Sequence, residues 1–120
     1  MPVGDELLSR KRLIRRWRHG SDSFFWRAEA DGLLMPVRRG RAARYRWHDV
    51  FMFEGGLPPA GWEAAYKADL LLPEEVGPRV GRSRSWVLDM AKSGDLPCRR
   101  VGLQRLFVPA EVAEWMETWA

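Results

Sequence analysis

The sequence predicts a mainly α-helical chain with short β-hairpins, laid out as two successive copies of one unit. Three observations predict this. The first is an internal repeat. With Ser21 set beside Ser83, a constant offset brings Phe25 to Val87, Gly32 to Gly94, Leu34 to Leu96 and Gly40 to Gly102. The same offset brings Tyr45 to Phe107, Asp49 to Glu111 and Val50 to Val112, without a gap. Upstream, one extra residue in the first copy restores the match, with Leu13 opposite Val76 and Trp17 opposite Val80. The second observation is a serine ahead of apolar residues at helical spacing, twice in the first copy and once in the second. The third is a glycine-centred turn between two short arginine-rich runs.

The second copy is the cleaner one. Pro73-Glu74-Glu75 opens a helix, because Pro suits a first turn and carboxylates there complement the helix dipole. Val76 and Val80 share one face of it. Pro78 lacks a backbone donor and is the weak point of this helix. Gly81-Arg82 makes a turn, and Ser83 caps a second helix from Arg84 to about Ser93. Val87, Met90 and Ala91 form its inner stripe, and Gly94 ends it. Arg99 to Val101, a turn at Gly102-Leu103-Gln104, and Arg105 to Val108 read as a hairpin. Pro109-Ala110-Glu111 starts a last helix ending near Trp119, with Val112, Trp115, Met116 and Trp119 at helical spacing.

The first copy follows the same plan. Ser9 caps a helix with Leu13, Ile14 and Trp17 inward. Ser21 or Ser23 caps the next, with Phe24, Phe25 and Ala28 inward, and Gly32 closes it. Val37-Arg38-Arg39, Gly40 to Ala43, and Arg44-Tyr45-Arg46 form the hairpin, and Asp49 to Phe53 a short last helix. Gly55 to Gly61 is rich in Gly and Pro and reads as a linker. Trp62 to Leu72 has helical composition. The expected organisation is therefore a first domain over 1–54, a linker with a connecting helix over 55–69, and a second domain over 70–120.

Composition bounds what such a chain can do. Its 120 residues carry 20 Lys+Arg and 16 Asp+Glu, a net charge of +4. That charge is uneven: residues 7–54 hold an excess of +7, and residues 69–120 an excess of −1. The asymmetry points to a polyanion partner for the first half. No apolar run reaches the ~18–20 residues of a membrane span. The opening Met-Pro-Val-Gly-Asp-Glu lacks an apolar stretch, so no secretory signal is expected. Cys98 is the one cysteine, which excludes an internal disulfide and a cysteine-based zinc site. His19 and His48 have no carboxylates at ligand spacing. No nucleophile–base pair, phosphate loop or carboxylate pair has the context catalysis needs. The expectation is a cytoplasmic, nucleoid-associated protein that is not an enzyme, with no metal and no cofactor.

Two helices joined by a short turn, the second capped by Ser, form the helix-turn-helix arrangement, and the hairpin adds a wing. The fold expected is thus a tandem winged helix-turn-helix. Leu-Leu-Pro-Glu-Glu-Val at 71–76, Val80-Gly81-Arg82-Ser83-Arg84-Ser85, Gly94-Asp95-Leu96-Pro97 and Arg100-Val101-Gly102 together resemble the excisionase and MerR-like DNA-binding proteins. The first copy resembles a diverged member, through Ser21-Asp22-Ser23, Gly32-Leu33-Leu34 and Arg44-Tyr45-Arg46. Phe24 and Trp86 stand where that family usually carries a small polar residue. No coiled coil or effector domain is expected, so the resemblance implies an excisionase-like protein rather than a ligand-sensing regulator.

The site residues expected follow from this plan. On the outer faces of the second helices lie Ser23 and Arg27 in the first copy, and Arg84 and Ser85 in the second. Asp22 and Asp89 accompany them. Arginine reads guanine edges through its two-pronged donor geometry. The wings contribute Arg38, Arg39, Arg41 and Arg44, then Arg99, Arg100 and Arg105, which are expected to contact phosphates or a minor groove. The first helix carries Arg10, Lys11, Arg12, Arg15, Arg16 and Arg18 on a wide outer face. The seven tryptophans are read as packing, with Trp26 and Trp47 partly exposed near DNA.

The expected function is sequence-specific double-stranded DNA binding, as a small transcriptional regulator or an excisionase-like recombination directionality factor. Integrase or RNA polymerase are the protein partners such roles imply, together with self-association on DNA and no membrane contact. Because the copies run head to tail, direct-repeat or asymmetric sites are expected rather than palindromes. The alternative is a protein-interaction adaptor or DNA-packaging subunit on the same fold, suggested by the near-neutral second copy and its Trp-rich last helix.

Overall fold

A computed structural model describes residues 6–119, apart from the side chain of Arg39. The chain divides into two compact units, Met1–Leu57 and Pro58–Ala120. Both are mainly α with short antiparallel hairpins.

In the first unit, strand β1 (Leu7–Leu8) leads into helix α1 (Arg10–Trp17). The Ser9 hydroxyl accepts from Arg12 N at 3.1 Å and so supplies the cap the sequence predicts. Arg18 ends α1 in the left-handed region at φ 61°. Helix α2 (Asp22–Ala30) starts at Ser21, whose hydroxyl accepts from Phe24 N at 3.2 Å. Strands β2 (Val37–Arg39) and β3 (Ala42–Arg46) form the hairpin, and β1 pairs with the other edge of β3. Helix α3 (Trp47–Glu54) closes the unit. It begins two residues earlier than Asp49, because Trp47 is itself a core residue, only 4% exposed and stacked on Phe51.

In the second unit, helix α4 (Glu63–Tyr66) is a single turn rather than the longer helix predicted over 62–72. The chain turns at Lys67, and Leu71 then bridges Phe107 with backbone bonds of 2.7 and 3.0 Å. Helix α5 (Pro73–Val80) opens with the Glu75 carboxylate accepting from Leu72 N at 2.9 Å. Helix α6 (Arg84–Lys92) is capped by Ser83, strands β4 (Arg99–Val101) and β5 (Gln104–Leu106) pair, and helix α7 (Pro109–Trp119) follows.

Pro78 does lie inside α5. Its neighbour Gly77 explains the sequence there. A Cβ at Gly77 would stand 2.6 Å from the Arg82 carbonyl oxygen, so only glycine lets the α5–α6 turn close onto the helix. Arg82 N donates to Gly77 O at 2.9 Å across that approach.

The two units repeat one another in detail. Leu8 pairs with Tyr45 as Leu71 pairs with Phe107. Leu34 N reaches Ala28 O at 3.3 Å, and Leu96 N reaches Met90 O at 3.1 Å. Each hairpin turns on two residues, with Gly40 at φ +62° and Gly102 at φ +60° in the first place, as in a type II′ turn. Phe24 meets Phe53 at 6.1 Å between ring centroids, and Trp86 meets Trp115 at 6.0 Å. That recurrent pair explains Phe24 and Trp86. They brace the start of the second helix against the last helix of their unit.

The cores differ where the repeat has drifted. The second unit packs Val76, Val87, Ala91, Leu96, Phe107, Val112 and Trp115 into one apolar cluster. The first unit buries an ion pair. Arg16 Nε and Nη2 donate to the Glu54 carboxylate at 2.8 Å each, and Trp17 Nε1 donates to the same group. The Arg16 guanidinium also lies over the Trp47 and Phe51 rings at 5.1 and 5.6 Å.

Candidate nucleic-acid interface

The candidate surface starts from α2, whose face away from the core is set by burial of Phe25 and Ala28. Asp22, Ser23, Trp26 and Arg27 are left exposed on it. Trp26 is 70% exposed. Arg27 has an exposed side chain near the C-terminal end of the helix.

Glu29 decides how α2 stands to its neighbours. Its carboxylate accepts from Arg10 Nη2 of α1 at 2.9 Å, from Arg38 Nη2 of β2 at 3.2 Å, and from the Tyr45 hydroxyl of β3. Arg10 Nε also donates to the Tyr45 oxygen at 3.0 Å. Burial pushes the Glu29 carboxyl up, but the bonds from Tyr45 and Arg10 outweigh it and hold the group below the usual carboxylate range. One carboxylate therefore ties the first helix, the exposed helix and both hairpin strands together. In the second unit Ala91 and Phe107 occupy the places of Glu29 and Tyr45, inside the apolar cluster.

The first hairpin presents Arg38, Arg41 and Arg46 as exposed cations. Arg41 sits at the turn itself. Arg44 is half-buried, and its Nη1 donates to Ala43 O at 3.1 Å. The Arg39 side chain lies outside the described residues. Lys11 and Arg15 on α1, and Arg18 at its C-terminal cap, are exposed. Arg10 and Arg16 are not part of an outer face: one serves Glu29, the other is buried with Glu54. Helical geometry alone placed all six cations outward; the two carboxylates draw these two in.

On the second unit, Arg84 and Ser85 are exposed at the start of α6, and Asp89 is exposed one turn on. Arg84 Nε pairs with Glu74 at 3.1 Å. Arg100 is exposed on β4. Arg105 is half-buried, with Nη1 3.6 Å from Cys98 Sγ. Arg99 departs from the expectation. It is 6% exposed, with its guanidinium 5.6 Å from the Tyr66 ring. Strand alternation sends Arg99 and Arg100 to opposite faces, and Tyr66 makes the inner place tolerable for a cation. Trp47 also departs, being core rather than partly exposed.

Sequence reasoning missed Glu29. The repeat carried the clue, because apolar Ala91 and Phe107 answer Glu29 and Tyr45, so two polar groups in a core-facing place must satisfy each other. Among the described residues no helix is long and apolar enough to cross a membrane, and no group of three or more His, Cys, Asp or Glu could hold a metal ion. Comparison with family models, with characterised proteins and with solved structures returns no match for this chain.

Proposed function

We propose that this chain binds double-stranded DNA with two winged helix-turn-helix units, as a small transcriptional regulator or recombination directionality factor. The observation that carries the reading is the α2 face of the first unit. Ser23, Trp26 and Arg27 are exposed there, and Glu29 on the same helix ties it to the hairpin that presents Arg41 and Arg46. A single helix fits a major groove ~12 Å wide. Cations on a hairpin beside it suit flanking phosphates, which fix register more than sequence. The second unit offers Arg84, Ser85 and Arg100 for the same purpose. Arg99 is left out of this set. Lys11, Arg15 and Arg18 extend the positive surface of the first unit, so it supplies the larger share of the attraction.

Selection of bound sites from a random duplex pool, followed by titration at several salt concentrations, tests the reading. Each phosphate contact contributes about −0.9 to the slope of log affinity against log salt. Arg41→Ala and Arg46→Ala should each flatten that slope by about one, while Arg27→Ala should cost ~1–3 kcal/mol and relax one position of the site. Absence of salt-dependent duplex binding by the full chain refutes it.

A further inference from the structure

The second unit has a groove that duplex binding does not account for. It lies between α6 and the β4–β5 hairpin, beside the start of α5, and encloses about 330 Å³. Its apolar lining is Leu72, Pro73, Leu88, Leu103 and Leu106. Leu106 is fully buried, whereas Leu103, at the tip of the hairpin, is 97% exposed. Arg84, Lys92 and Arg105 bring three cations to the same groove, against the one carboxylate of Glu74. This local excess of positive charge sits on a unit whose net charge, from eight Lys/Arg and nine Asp/Glu over 58–120, is −1. The Gln104 side-chain oxygen is buried in the groove wall with no hydrogen-bond partner among the described residues. A buried acceptor of that kind calls for a donor.

The first unit has no such groove chemistry. At the places of Leu88, Lys92, Leu103, Arg105 and Leu106 it carries Trp26, Ala30, Arg41, Ala43 and Arg44. The leucines and cations thus belong to the second copy alone. A phosphate backbone would use the cations but has no use for four leucines, one of them fully offered to solvent.

We infer that the groove between α6 and the β4–β5 hairpin receives an acidic, leucine-bearing segment of a partner protein. Its leucines fill the space against Leu72 and Leu88 and cover Leu103. Its carboxylates meet Lys92 and Arg105, and a backbone N–H donates to Gln104. The second unit then serves a protein partner, independently of whether the first unit holds DNA.

Fluorescence anisotropy with the full chain and a short labelled peptide alternating Asp and Leu tests this. Two control peptides replace Leu by Ser or Asp by Lys. The Asp–Leu peptide should bind, and both controls should bind at least about tenfold more weakly, a difference of about 1.4 kcal/mol. Leu103→Ser and the charge reversal Arg105→Glu should each weaken it about tenfold or more, while Arg41→Ala in the first unit leaves it unchanged. Leu103 is exposed, so its variant should keep the parent's thermal midpoint. Backbone amide shifts on adding peptide should centre on α6, β4 and β5. The inference is overturned if the Asp–Leu peptide does not bind, if the Asp–Ser peptide or a duplex binds this groove equally well, or if the shifts centre elsewhere. Duplex binding lost with peptide binding intact overturns the DNA reading alone, and the converse overturns this one alone.

Discussion

Glu54→Gln should unfold the first unit while sparing the second. The change is nearly isosteric, so packing is preserved and charge is what alters. Arg16 and Glu54 are both fully buried, joined by two bonds of 2.8 Å, and Trp17 Nε1 donates to the same carboxylate. The glutamine amide offers one acceptor where the carboxylate offers two, and turns N–H groups towards the guanidinium. The Arg16 cation stays in the core without its counter-charge. Breaking a buried pair in this way costs about 3–5 kcal/mol. Domain stabilities of roughly 0.05–0.15 kcal/mol per residue leave a unit of this size little more than that to lose. Urea titration followed by amide NMR should show the α1–α3 resonances collapsing at much lower denaturant than in the parent, with α5–α7 resonances unmoved. The double change Arg16→Met with Glu54→Met should recover most of the loss, because an apolar replacement of a buried pair is commonly neutral or stabilising. A loss under about 1 kcal/mol for Glu54→Gln, the size expected of a solvent-exposed pair, refutes the reasoning.

Further outcomes follow from the same geometry. Gly77→Ala should destabilise the second unit by about 1–3 kcal/mol in a thermal melt, since its Cβ meets the Arg82 carbonyl at 2.6 Å and the obstacle is backbone; an unchanged midpoint counts against the close approach. Ser21→Ala and Ser83→Ala should each cost about 1 kcal/mol, confined by NMR to the unit that carries the change. Tyr66 is pushed up to about 12, first by burial and then by its bond to the Glu111 carboxylate at 2.9 Å. Its folded value lies above the ordinary tyrosine value near 10, so its contribution is complete below that value and is lost as pH rises towards 12. Denaturant melts across that window should show the second unit weakening, and Tyr66→Phe should remove that part of the slope. Glu29 is held low, so its contribution is complete above the ordinary carboxylate value and is lost as pH falls through the lower folded one. Acid titration should loosen α2 from the hairpin, read as exchange of the β2–β3 amides, and Glu29→Gln should show that loosening already at neutral pH.

The parts that depend on short-range chemistry and on self-comparison were legible in the residues alone. Ser9 and Ser83 cap the helices they precede, because a cap needs only its own hydroxyl and the amides two or three residues on, whereas Ser21 and Ser23 both fitted that rule and the structure has Ser21. Gly40 and Gly102 place the hairpin turns because only glycine takes that φ without strain. The repeat told which residues occupy matching places, and the Phe24–Phe53 and Trp86–Trp115 pairs meet at those places. Which charges are available depends on contacts between elements far apart in the chain. Arg10, Arg16 and Arg99 look like surface cations in a helical or strand pattern, yet Glu29, Glu54 and Tyr66, distant in sequence, hold them. The same long-range pairing buries Trp47 and leaves Trp26 and Leu103 in water. Periodicity reports the direction a side chain leaves the backbone; what it meets there depends on elements that only folding brings beside it.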